Sequence, residues 1–129
     1  MKKLFILFIL LLLTGCTSQV PEIKPLEIDL NNLKWDIEAN IALSKAREIY
    51  QQAIIDEMDL TNGPCLSNNL HGNMLYPETL WVLDIAHNPR QEMDDLPENQ
   101  CSVFREKKAS NFIELDKEGN LIQIYSPYL

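Results

Sequence analysis

Positive charge is scarce in this sequence. Lys and Arg number 11 against 19 Asp and Glu, for a formal net charge of −8. Nucleic acids and anionic lipid headgroups are held through basic surface, so neither is expected as the main partner. Long apolar runs are missing too. The longest covers positions 4–13, half of the roughly 20 residues that a membrane-spanning helix needs. Cysteines are few, and the three at 16, 65 and 101 lack the close pairing of zinc fingers and ribbons. The glycine turn that presents a catalytic serine is absent. No internal repeat or low-complexity tract appears. At this length one small domain is expected.

What is present begins at the N-terminus. Lys2 and Lys3 precede the apolar run from Leu4 to Leu13, which ends in Leu13-Thr14-Gly15-Cys16. A short apolar core behind a basic start is the pattern of a secretory signal. Small residues at Thr14 and Gly15 let an extended backbone enter a peptidase cleft. The Cys16 thiol can accept diacylglycerol. Residues 1–16 thus resemble the signal and lipobox of bacterial prolipoproteins. That resemblance implies cleavage after residue 15, lipid on Cys16, and a protein held on the outer side of a membrane. Thr17, where an Asp would favour inner-membrane retention, points to the periplasmic side of the outer membrane in a Gram-negative cell. Two or three acyl chains make a strong anchor, because each buried methylene contributes about 0.8 kcal/mol. Cleavage would leave 114 of the 129 residues and, by removing Lys2 and Lys3, a net charge of −10.

Cys65 and Cys101 remain for the domain. Outside the cytoplasm a disulfide between them is the economical expectation. Residues 16–33, with Pro21 and Pro25, read as lipidated N-terminus and flexible tether, and 34–129 as a single small domain. Ala39, Ala42, Leu43, Ala46, Ile49, Tyr50, Ala53 and Ile54 recur at three- and four-residue steps and predict a helix over about 36–60. Asp36 is its expected N-cap, and Thr61-Asn62-Gly63-Pro64 its stop. Positions 64–79 read as loop, 80–86 as a strand, and 101–105 as a short strand. Residues 112–115 and 121–125 flank Asp116-Lys117-Glu118-Gly119-Asn120 and predict a C-terminal hairpin. If Asp116 faces Asn120, Leu115 faces Leu121, Ile113 faces Gln123 and Phe112 faces Ile124. The expected fold is α+β: one N-terminal helix on three to four antiparallel strands. This order is similar to PepSY and cystatin-like architectures, which carries no function by itself.

Several residues could carry chemistry. Asp84, His87 and Arg90 lie at the end of the strand over 80–86, where functional groups often sit, and form a possible ligand-binding group. A histidine near a carboxylate can act as base or ligand, but no nucleophile stands at a recognisable spacing. Cys65, His71, His87 and Cys101 are zinc-ligand types at the wrong spacing. Pairing of the cysteines would also remove a thiol nucleophile. The acidic stretch 92–98 lacks the spacing of a calcium loop. Trp81 and Tyr125 could line a pocket, although aromatics in a small domain are more often core. Neither metal nor cofactor is expected. The reading is a non-enzymatic, membrane-anchored envelope module that binds a protein or polymer. The alternative is a small envelope hydrolase using His87 with a nearby carboxylate.

Overall fold

The computed structural model describes residues 30–73 and 79–129. The signal, the lipobox with Cys16, and positions 16–29 of the expected tether lie outside the described residues. The fold is α+β, with one long helix packed on a four-stranded mixed sheet.

Helix α1 spans Leu30–Ile55. Ala39, Ala42, Ala46, Tyr50 and Ala53 form its buried stripe. Four alanines in that stripe let the helix axis lie close to the sheet. Both expected ends need correction. Asp36 lies inside the helix rather than capping it, since the helix starts six residues earlier than the apolar period indicates. The helix ends at Ile55 and is closed by Glu57, not stopped at Gly63. Glu57 takes a left-handed conformation (φ 53°), and its N–H donates to Ile54 O at 3.1 Å while Met58 N–H donates to Ala53 O at 2.9 Å. These are the two bonds of a Schellman cap, formed here without glycine. Gly63, at φ 67°, serves the following turn instead.

The strands are β1 (Cys65–His71), β2 (Leu80–Ile85), β3 (Asn111–Leu115) and β4 (Leu121–Tyr125), in the order β1-β2-β3-β4. β1 corrects the expected loop over 64–79. It is an edge strand whose pairing with β2 is interrupted by irregularities. Only Leu70 is fully buried in it. β2 and β3 run parallel, so the sheet is mixed rather than wholly antiparallel. A parallel pair requires a long crossover, and residues 86–110 supply it. They contain a cis Asn88–Pro89 peptide, a 3-10 turn over Glu92–Asp95 and a short helix α2, Ser102–Arg105. α2 replaces the strand expected over 101–105. The hairpin keeps Leu115 opposite Leu121. An irregularity between Glu114 and Leu115 then moves the register by one, so Glu114 faces Gln123, Ile113 faces Ile124 and Phe112 faces Tyr125. Gly119 is required at the turn: its φ is 85°, and a Cβ there would sit 2.5 Å from the Tyr50 ring.

Side chains alternate between the two faces of the sheet. Trp81, Leu83, Ile85, Ile113 and Leu115 face α1 and join its alanine stripe in the main core. The opposite face carries a smaller cluster of Val82, Cys101 and Ala109, with Phe104 and Phe112 packed against it. The crossover folds over this second face. Cys65 and Cys101 form a disulfide that ties the crossover to the β1 edge. At the chain's end Tyr128 stacks on Trp35 with ring centres 4.2 Å apart. No helix among the described residues is long and apolar enough to cross a membrane.

Candidate functional site

Pleating sends Val82 and Asp84 of β2, Phe112 and Glu114 of β3, and Gln123 of β4 to the face away from α1. The parallel register puts Asp84 opposite Glu114, and the antiparallel register puts Cys65 opposite Asp84 and Gln123 opposite Glu114. The crossover adds Arg90, Gln100 and Cys101, then Phe104, Arg105 and Lys107 from α2 and its end. Together these residues enclose an open hollow of about 510 Å³. Its floor is apolar. Phe104 meets Phe112 edge-on at 5.1 Å, and Phe112 stacks on Tyr125 at 5.1 Å.

Two carboxylates and one guanidinium form the polar wall. Arg90 Nη1 donates to Glu114 Oε1 at 2.6 Å, and its Nε to Asp95 Oδ1 at 3.0 Å. Asp84 has no such partner, and its Oδ1 is buried without a hydrogen bond. Burial pushes the Asp84 carboxyl up, the charge of Glu114 pushes it further, Arg90 pulls it down, and Asp94 raises it again. The outcome is about 8. One arginine faces two adjacent carboxyl groups, so near neutral pH one of them keeps a proton. A carboxylate oxygen of Asp84 also lies within 4.8 Å of both cysteine sulfurs. The sulfurs are bonded to each other and cannot act as thiolate ligands while oxidised.

His87 sits apart from this wall. Its Nδ1 is 2.7 Å from Asp94 Oδ1. Asp94 is almost fully buried, at 2 % exposure. Its carboxylate also accepts the backbone N–H of Gln91 at 2.7 Å and of His87 at 3.2 Å. Burial pushes the Asp94 carboxyl up, but the Gln91 and His87 hydrogen bonds outweigh it and hold the group below the usual range. Asp94 therefore knots the start of the crossover, and His87 is part of the knot. Among the described residues no hydroxyl or free thiol lies within hydrogen-bond reach of His87.

The expected group thus divides. Asp84 and Arg90 meet in the hollow with Cys101, whereas His87 does not line it. Glu114, Gln123, Phe104, Phe112, Arg105 and Lys107 were not singled out from the sequence. The available signal was an acid inside each of two apolar strands, Leu83-Asp84-Ile85 and Ile113-Glu114-Leu115. Trp81 is fully buried and lines neither this hollow nor the one along α1. Tyr125 contributes only through its stack on Phe112. His71 turns its ring to Asn69, 2.9 Å away, and forms no common cluster with His87 and the cysteines. The stretch 92–98 directs Asp94 inward to the knot. A second hollow, about 520 Å³, runs along α1 between Asn40 and Ile55. Its side chains are almost all solvent-exposed and none is a buried polar group, so it offers surface rather than a built site.

Comparison with protein-family models, with curated proteins and with solved structures gave no match.

Proposed function

We propose that this protein is a lipid-anchored binding module of the cell envelope, whose ligand seats in the hollow on the sheet face opposite α1. The observation that carries the reading is the hollow itself. It joins an apolar aromatic floor to a small set of convergent polar groups, at a volume typical of ligand sites. The signal and lipobox at residues 1–16 supply the address: lipid on Cys16 and a domain outside the cytoplasm. The ligand is an envelope component, free or displayed on a polymer or protein. Replacement of Cys16 by Ser should abolish partitioning into detergent; unchanged retention after proven signal cleavage would contradict the anchor. Affinity enrichment of the lipidated protein from native envelopes tests the hollow. A component enriched on the native chain should disappear with Gln123→Trp, an exposed position whose larger side chain fills the space. Equal enrichment with and without the block would sink the hollow as the binding site.

The His87–Asp94 contact is the observation that favours the alternative, a small hydrolase. It supports that reading less well, because Asp94 is occupied with backbone donors and no nucleophile adjoins the pair.

A further inference from the structure

The hollow has a charge opposite to that of the chain, and this restricts what enters it. The protein carries −8 overall. At the hollow's wall Arg90 is shared between Glu114 and Asp95, and burial keeps the proton on Asp84 to about pH 8. Arg105 and Lys107 remain. Both are exposed at the rim, and neither makes a direct ion pair with a described residue, although the Glu106 carboxyl is held down chiefly by Lys108 and in smaller part by Arg105. Glu106, between them, turns to Lys108 at 2.6 Å. Among the groups that line the hollow, Arg90, Arg105 and Lys107 therefore outnumber the acids Asp84 and Glu114, on a chain that is acidic overall.

Lys107 is also held where a lysine is costly. Its φ is 59°, and its N–H donates to Phe104 O at 3.0 Å while Lys108 N–H donates to Val103 O at 2.9 Å. This is the left-handed closing position of α2, which glycine fills at least cost. Below the two cations the floor offers the edges and faces of Phe104 and Phe112, and the wall offers the Asp84 carboxyl and the Gln123 amide.

We infer that the hollow binds a ring-bearing organic anion: the ring rests on Phe104 and Phe112, the carboxylate, phosphate or sulfonate meets Arg105 and Lys107, and a polar substituent bonds Asp84 or Gln123. This rests on the proposed binding role and names the chemistry of its ligand.

Two commercial dyes make a matched probe pair. 1-Anilinonaphthalene-8-sulfonate has a ring body and an anionic group; N-phenyl-1-naphthylamine has the same body and no charge. Calorimetric titration of the soluble Cys16→Ser protein at neutral pH should show one site for the anionic dye and at least tenfold weaker binding of the neutral one. The Arg105→Gln/Lys107→Gly double variant should lose about thirtyfold in affinity for the anionic dye, equal to about 2 kcal/mol. Its melting temperature should stay level or rise, because glycine relieves the left-handed position. That combination separates loss of a binding charge from loss of fold. If both dyes bind equally at a site blocked by Gln123→Trp, the anion assignment falls while the hollow stands as a site. If neither dye binds, both the assignment and the hollow fail. Undiminished binding by the double variant likewise overturns the role of the two cations.

Discussion

Replacing Asp84 by Asn should remove most of one component of the pH dependence of folding stability. The folded carboxyl titrates at about 8, against 3.8 for the unperturbed group. Between these values the folded protein keeps a proton that the unfolded chain releases. The proton-bound folded state is favoured at low pH, so this stability is complete below about pH 4. It is lost as pH rises towards 8. The slope has a ceiling of about 1.4 kcal/mol per pH unit, so the loss between about pH 5.5 and pH 8 approaches 3 kcal/mol. Asparagine keeps the shape, carries no charge, and leaves Glu114 with Arg90 to itself. Urea unfolding of both proteins across this range isolates the group and its coupling to Glu114 and Asp94, because titrations not coupled to Asp84 cancel in the difference. The variant should gain on the parent by about 3 kcal/mol from the acidic to the basic end, and be the more stable at the basic end. Parallel stability curves would show that Asp84 ionises freely in the fold, and the account of the polar wall would be wrong.

Three other perturbations test the frame around the hollow. Glu57→Gly should stabilise the domain by about 1 kcal/mol, since the left-handed cap of α1 is then free of Cβ strain; a lower melting temperature would refute the cap. Asp94→Ala should cost about 2–4 kcal/mol in urea unfolding, because Gln91 N–H and His87 N–H lose a buried acceptor. That cost should shrink in acid, since the Asp94 carboxyl lies below the usual range and its stabilisation is lost only as pH falls through that value. The Cys65→Ser/Cys101→Ser variant, opening a sequence separation of 36, should lose about 4 kcal/mol by the chain-entropy account; unchanged stability would make the bond dispensable.

The sequence carried the long helix and the terminal hairpin because each rests on local periodicity. Ala39, Ala42, Ala46 and Ala53 recur at helical spacing, and Gly119 marks a turn that few other residues fit. The errors fall where tertiary contacts override local signals. Cys65–His71 is a strand in which four of seven residues are serine, asparagine or histidine; it exists because β2 offers it an edge and the disulfide holds its first residue. Ser102–Arg105 has the Val and Phe of a strand former yet coils into α2. The segment crosses the sheet face, where Phe104 packs on Phe112, instead of lying along an edge, and tertiary packing overrides strand propensity. The parallel β2–β3 pair is equally invisible locally, since it depends on the path of the whole crossover.

The site was half legible for a related reason. Asp84 and Arg90 lie near each other in sequence, but Glu114 reaches them only through the parallel register, which aligns it with Asp84. That register has a chemical consequence no single segment contains. Two acids stand at the same level on neighbouring strands, beneath a crossover that delivers one arginine to them. Burial, with the charge of Glu114 that Arg90 only partly offsets, leaves Asp84 holding its proton. Were the pair antiparallel and shifted by one residue, one acid would enter the alanine-lined core and the other would face water. The parallel register therefore keeps both acids on the sheet face opposite α1. An acidic chain can in this way carry a hollow suited to the proposed organic anion, with Arg105 and Lys107 at its rim.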